Sequence, residues 1–201
     1  MGKYAATFFI IACLGASLQG QEIDNGLPLS PGEKVDYSIK QLVQPAILFE
    51  SALYAGYNQW RDRDPSYGQG TAAYGIRMGA GYGDLAISHV MRQGLFPIVF
   101  HEDPRYFRMG PENGSFGKRV IYALSRTVVT RNDWGGSEFN YSGIVGEAAA
   151  VGIDRSYHPD YRTASAAAGS FGSAIGIHAG ALIWKEFWPD LRGMVSHHNR
   201  P

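Results

Sequence analysis

Cysteine is almost absent from this sequence. The single one, Cys13, lies inside an apolar N-terminal run, so a chain cleaved after that run carries no thiol. Disulfides, thiolate zinc sites and a cysteine nucleophile are thereby excluded from the mature protein. A basic patch or basic helix face is also missing. Lys plus Arg and Asp plus Glu number 18 each, and that balance without clustering gives no footprint for nucleic acid. No Pro-Ser-Gly-His accompanies Ser125-Arg126, so the comparison with membrane phosphatases of the acid-phosphatase type fails. Ser125 also lacks a nearby partner for a serine triad. The sequence calls for no cofactor and no metal.

What is present begins with an export signal. Lys3 supplies a short positive region, Tyr4 to Ala16 is apolar and uncharged, and small residues at Gly15, Ala16, Ser17 and Gly20 precede the polar Gln21-Glu22. This three-part pattern predicts a secretory signal over residues 1–20. The apolar run of about 13 residues is too short for a span, which needs roughly 20. A lipobox-like reading, Ile10-Ile11-Ala12-Cys13, would instead acylate Cys13 and anchor the protein. The remainder divides into a polar entry segment (21–32), one helical domain (33–192) and a disordered tail (193–201). The expected placement is exported, in the periplasm or a cell-envelope membrane.

Glycine is abundant, 26 of 201 residues, nearly twice the usual roughly 7%. These glycines sit inside apolar stretches of helical period. The expected fold class is all-α, a compact bundle of about five helices. The first starts at Ser30, whose Pro31 and Glu33 complete an N-cap signature, and runs to about Arg61 with a kink or break at Pro45. The others cover about 71–94, 116–130, 141–156 and 163–187, the second and fifth closed by Pro97 and Pro189. Four-residue steps align Gly75, Gly79 and Gly83 on the second helix, and Ser142, Gly146 and Ala150 on the fourth. They also align Ala168, Gly172, Gly176 and Gly180 on the fifth. Such glycine/alanine small-xxx-small faces are expected to pack backbone against backbone, as in membrane helices. Residues 72–82 also alternate in the manner of a barrel strand, so a small outer-membrane barrel or pore is an alternative. Ala164 to Trp184 carries no formal charge, about 31 Å as a helix.

The segments His101-Glu102-Asp103-Pro104-Arg105-Tyr106-Phe107, Tyr67-Gly68-Gln69-Gly70 and Asn140-Tyr141-Ser142-Gly143-Ile144 resemble a family of uncharacterised bacterial cell-envelope proteins. The similarity covers about residues 30–190. The resemblance implies an envelope location and transfers no catalytic residue.

The chemistry is therefore sought in the residues themselves. His101, Asp103 and Arg105 form one polar turn, and His158, Asp160 and Arg162 a second. Together they could supply two histidines and two aspartates to acid–base work on a lipid- or phosphate-directed hydrolase substrate. The competing reading makes the first turn a loop anchor, with Asp103 and Arg105 bonded to neighbouring helix ends. Lys118, Arg119, Arg126 and Arg131 could contact phosphate or lipid headgroups, or form a solvated face. Glu147 and Asp154 share a helix face and are expected to pair with Arg119 and Arg126 rather than act as a glycosidase carboxylate pair. The preferred reading is a membrane-associated envelope protein with a structural or interaction role, its partners membrane lipid or another envelope protein.

Overall fold

The structure, a computed structural model, describes residues 27–158 and 163–198, with side chains through Gly193. The expected signal and its Cys13, the first half of the entry segment (21–26), and Asp160 and Arg162 lie outside the described residues. The chain is mostly helical. In order come α1 (Pro31–Leu42), α2 (Pro45–Trp60), α3 (Thr71–His89), a π-helical segment (Val90–Leu95), α4 (Phe96–Phe100), β1 (Glu102–Asp103), α5 (Phe116–Ser125), β2 (Val129–Asn132), β3 (Ser137–Phe139), α6 (Tyr141–Tyr157) and α7 (Ala164–His198). The strands form one antiparallel sheet in the order β1-β2-β3. The expected all-α bundle of five helices is thus corrected to a helical protein carrying a small sheet. Residues 72–82, the stretch that could suit a barrel strand, are helical.

Local chemistry explains the boundaries. Ser30 and Glu33 close a capping box: the Glu33 amide donates to Ser30 Oγ at 3.4 Å and the Ser30 amide to Glu33 Oε2 at 2.8 Å. Pro45 divides the first expected helix, standing in the first turn of α2, where its missing N–H costs nothing. The helix expected over 116–130 stops at Ser125, because Val128, Val129 and Thr130 are β-branched and pass into β2. Two expected stops are overridden. Pro97 lies in the first turn of α4, directly after the π segment, so the helical path from Thr71 continues to Phe100. Pro189 lies inside α7, which runs on to His198, through the region expected to be a tail. Near that proline, Arg108 Nε (2.7 Å) and Arg119 Nη2 (2.9 Å) both donate to the Glu186 carbonyl.

Among the described residues the interior is rich in polar groups, and many large apolar side chains are exposed. Among the described residues, sixteen polar or charged residues are buried, against seven apolar ones of which four are alanine. The arrangement follows helix faces. On α2 the inner residues are Ile47, Ser51, Ala55 and Asn58, while Leu48, Phe49, Tyr54, Tyr57 and Trp60 point out. On α3 the inner ladder is Ala73, Arg77 and Gly81, and Ile76 is outside. On α6 Ser142, Gly146 and Glu147 face in, and Tyr141, Val145 and Ile153 face out. The helix segment Ala164–Gly193 is long and apolar enough to cross a membrane, and almost none of its apolar window is covered by the rest of the chain.

The glycine faces divide accordingly. Gly146 packs as expected: a Cβ there would stand 3.1 Å from the Arg92 backbone, so the π segment presses directly on α6. Gly83 is less tight, with the Tyr157 hydroxyl at 3.6 Å. At Gly75, Gly79, Gly172 and Gly176 a Cβ would meet nothing within 4 Å. The expectation of backbone-on-backbone packing at those four is corrected: they lie on the outward side, and on α3 the close contact belongs to Gly81, whose Cβ would fall 2.9 Å from the Tyr54 ring. Gly180 is half-buried. Sequence spacing identified the four-residue step on α3 but not which of two parallel rows faced inward.

Candidate functional site

The chain from His101 to Gly110 ties together the sheet, α6 and α7. His101 terminates α4 in a left-handed conformation (φ 56°), and the chain then enters β1. Its side chain is 63% exposed. The acid beside it is Asp133, 3.9 Å from Nδ1, and its ring lies against Trp134. Asp133 is itself held by the buried Lys34 at 2.6 Å.

Glu102, which the sequence reading passed over, is fully buried. Its carboxylate accepts from the amides of Tyr141 (2.8 Å) and Ser142 (2.9 Å) and from the Ser142 hydroxyl. It therefore fills the N-terminus of α6, where unsatisfied amides and the helix dipole favour an anion. Burial pushes the Glu102 carboxyl up, against the opposing pull of these hydrogen bonds.

Asp103 and Arg105 pair with each other. Arg105 Nε donates to Oδ1 at 3.0 Å and Nη2 to Oδ2 at 2.6 Å, while the Arg105 amide closes the turn onto Oδ1 at 3.0 Å. Arg105 also reaches the Leu27 carbonyl at 2.7 Å. The expected bonds from this pair to neighbouring helix ends are corrected: the residue that binds a helix end is Glu102. His101, Asp103 and Arg105 do not form one cluster, because the left-handed turn at His101 sends its side chain to Asp133 while Asp103 and Arg105 pair with each other.

Beyond them, Glu186 of α7 gathers the next turn. Its carboxylate accepts from Tyr106 Oη (2.8 Å), Arg119 Nε (2.8 Å) and the amides of Met109 and Gly110 (both 3.0 Å). Asp190 completes the network with Arg119 at 2.6 Å and with Arg108. Burial and the neighbouring Glu186 charge raise the Tyr106 phenol well above its ordinary value. The expected acid–arginine pairing exists, with other partners: Arg119 binds Glu186 and Asp190, and Glu147 binds Arg92 at 3.2 Å and Ser88 at 2.7 Å.

His158 belongs to a separate cluster. It is buried, with Nε2 2.8 Å from Asp84 and Nδ1 3.1 Å from the Tyr67 hydroxyl. Tyr157 bonds Asp84 and Asp154. Burial opposes the imidazolium, but the hydrogen bond and charge of Asp84 outweigh it and hold His158 above its ordinary pKa. Burial and the nearby Asp84 push Asp154 up to about 7. The two histidine turns keep separate partners, so the joint two-histidine site is not assembled by the described residues. Among them no group of three or more His, Cys, Asp or Glu is placed to hold a metal ion.

A cavity of about 390 Å³ lies between these networks. Its walls come from residues 103–107, the end of α5, β2, the start of α6, and α7 at His178, Leu182 and Lys185. Arg92 and Gln93 reach it from the π segment. The extra residue per turn there rotates the following side chains relative to α3, and such segments recur at functional sites. Sequence spacing carried no sign of this rotation. Lys185 had a visible cue, a charge between Trp184 and Glu186 in an otherwise apolar run. Comparison with known family models, curated proteins and solved structures finds no match.

Proposed function

We propose that this chain is an exported, membrane-associated envelope protein whose role is structural or interactive rather than catalytic. The observation that carries this reading is the distribution of side chains: faces of α2, α3 and α6 made mostly of small and polar residues turned inward, many large apolar and aromatic side chains turned out. In water, apolar groups this numerous would be drawn into the interior, and buried ion pairs would be a poor substitute for them. In lipid the preference reverses. Charges face the bundle interior and pair there, and aromatics such as Trp60 and Trp134, each more than 70% exposed, suit the interfacial belt. Only Ala164–Gly193 is read as crossing. At about 45 Å it exceeds the roughly 30 Å hydrocarbon core, which leaves its ends for the headgroup region or for tilt.

The structural role rests on how the polar groups of the 101–110 turn are used. Glu102 and Tyr106 bond α6 and α7, and Asp103 is committed to Arg105, which also reaches the Leu27 carbonyl. A hydrolase reading would require His101 to converge with a second acid or histidine on a substrate cavity, and His101 does not line the cavity; its side chain lies exposed beside Asp133, whose carboxylate is held by Lys34. Alkaline carbonate extraction of the native envelope tests the membrane assignment. The protein is expected in the pellet, with a mature N-terminus between Ser17 and Glu22 by mass spectrometry. Recovery in the carbonate supernatant would refute it.

A further inference from the structure

The cavity between the sheet and α7 is cationic beyond what its own acids neutralise. Arg92, Arg105, Arg126, Arg131 and Lys185 line it, and Asp103 is the one carboxylate on the same wall. Asp103 is committed to Arg105, and Glu147 behind the wall to Arg92. Lys185 has no hydrogen bond or ion pair among the described residues, and its charged neighbour is another cation, Arg92. The adjacent Glu186 cannot serve it, because four donors from other residues occupy that carboxylate. Arg126 has no carboxylate partner either; it lies over the Tyr122 ring, 4.8 Å from its centre. Arg131 stacks on Phe107 at 4.6 Å. Lys185 and Arg126 are part-buried rather than sealed, so each can meet a ligand.

Holding Lys185 and Arg126 beside other cations without a carboxylate of their own is costly unless an anion is supplied from outside. Arginine and lysine together match the oxygens of a phosphate. The cavity is in the size range of small-molecule sites and much larger than one phosphate group. Phe107, Val129 and Leu182 on its walls offer apolar surface to carbon atoms attached to that phosphate.

We propose that this cavity binds a phosphate ester, with Lys185 and Arg126 on the phosphate oxygens and the apolar wall on the alcohol portion. The ester has two possible sources, an anionic phospholipid headgroup or a soluble phosphomonoester. The lipid source rests on the membrane assignment above; the soluble source does not.

Two arms separate them. In the first, native mass spectrometry counts phosphatidylglycerol retained by the full mature chain from phosphatidylcholine nanodiscs doped with it. In the second, glycerol 3-phosphate is titrated against the protein in neutral detergent, followed by ³¹P line broadening. Saturable binding in the first arm alone identifies a headgroup site, and in the second a soluble ester; either supports the proposal. Lys185→Met should weaken binding at least about tenfold, the loss expected for a charge-assisted hydrogen bond, and Lys185→Arg should retain it. Arg126→Gln provides the same test if Lys185→Met does not fold. Absence of saturable binding by wild type in both arms overturns the proposal, as does wild-type affinity in a folded Lys185→Met or Arg126→Gln. Equal retention of phosphatidylcholine and phosphatidylglycerol, with no glycerol 3-phosphate bound, also overturns it. Because the second arm needs no bilayer, a failed membrane assignment and a failed phosphate site give different results.

Discussion

Replacing Glu186 by Gln keeps the side-chain volume and removes one charge at a carboxylate that donors from four other residues occupy. Glu186 is fully buried. Oε2 accepts from Tyr106 Oη and the Met109 amide, and Oε1 from Arg119 Nε and the Gly110 amide. A glutamine amide can keep only one of these two faces, because its NH₂ end meets donors and cannot accept from them. The mutation therefore strands two donors, and Arg119, itself buried, loses one of its two anions. Breaking one side of a buried ion pair costs about 3–5 kcal/mol. For a chain of this size each kcal/mol moves Tm by roughly 2–4 °C, so Glu186→Gln should melt about 6–20 °C lower. Intrinsic fluorescence follows the transition, since Trp184 and Trp188 stack on each other within one turn of Glu186. The double variant Glu186→Leu with Arg119→Met should be less destabilised than the sum of its singles, because no orphaned charge remains. A Glu186→Gln melting curve within about 2 °C of wild type would refute the assignment of Glu186 as the organiser of this turn.

The same geometry makes further predictions. Gly146→Leu should destabilise severely, by several kcal/mol, because it forces a side chain into the Arg92 backbone, while Gly79→Leu and Gly176→Leu, with open space at their Cβ positions, should shift stability by no more than about 0.5 kcal/mol; differential scanning fluorimetry in detergent distinguishes them. Asp103→Asn should cost about 3 kcal/mol by breaking its paired geometry with Arg105, whereas His101→Ala should lower steady-state abundance little, since His101 is exposed; loss of abundance in His101→Ala alone would reverse that assignment. The stability contributed by the His158–Asp84–Asp154 cluster should fall between pH 5 and pH 8, while His89, which burial lowers to about 4, acts with the opposite sign below about pH 6.5. His158 is raised on folding, so its contribution is complete below about 6.5 and is lost as pH rises through its folded value. Asp154, raised to about 7, acts with the same sign, favouring the fold below its unfolded value and losing that contribution by about pH 7. His158→Gln should flatten the melting temperature against pH over the upper part of this range.

Helix positions were legible from the sequence wherever the chemistry is local. The Ser30 cap, the break at Pro45 and the extent of α6 each depend on residues within one turn of the boundary. Pro97 and Pro189 were misread as stops because tertiary bonding decides their outcome: a π segment delivers the chain to Pro97, and two guanidinium groups dock on the carbonyl beside Pro189. The inward row of α3 was misread because Gly75-Gly79-Gly83 and Ala73-Arg77-Gly81 share the same four-residue step. Only the bonds of Arg77 to the carbonyls of Arg63, Asp64 and Gly68 reveal which row is buried. At the 101–110 turn the chemistry-bearing residue types are visible, but apart from the local Asp103–Arg105 pair their roles are set by partners 30 to 80 residues away. Glu102 became a helix anchor through Tyr141 and Ser142. Arg119 took its acids from α7 instead of α6.

Embedding in lipid, with the apolar faces outward, is tested most directly by spin labels at single introduced cysteines. The expected mature chain has no other thiol, so each label is unique. Labels at Leu48→Cys, Ile76→Cys, Val145→Cys and Ile177→Cys, with Lys118→Cys as the polar control, are compared in vesicles for collision with oxygen and with a water-soluble nickel chelate. The four apolar sites should be open to oxygen and shielded from nickel, and Lys118→Cys the reverse. Nickel accessibility at the four sites equal to that at Lys118→Cys would place those faces in water and contradict the membrane assignment.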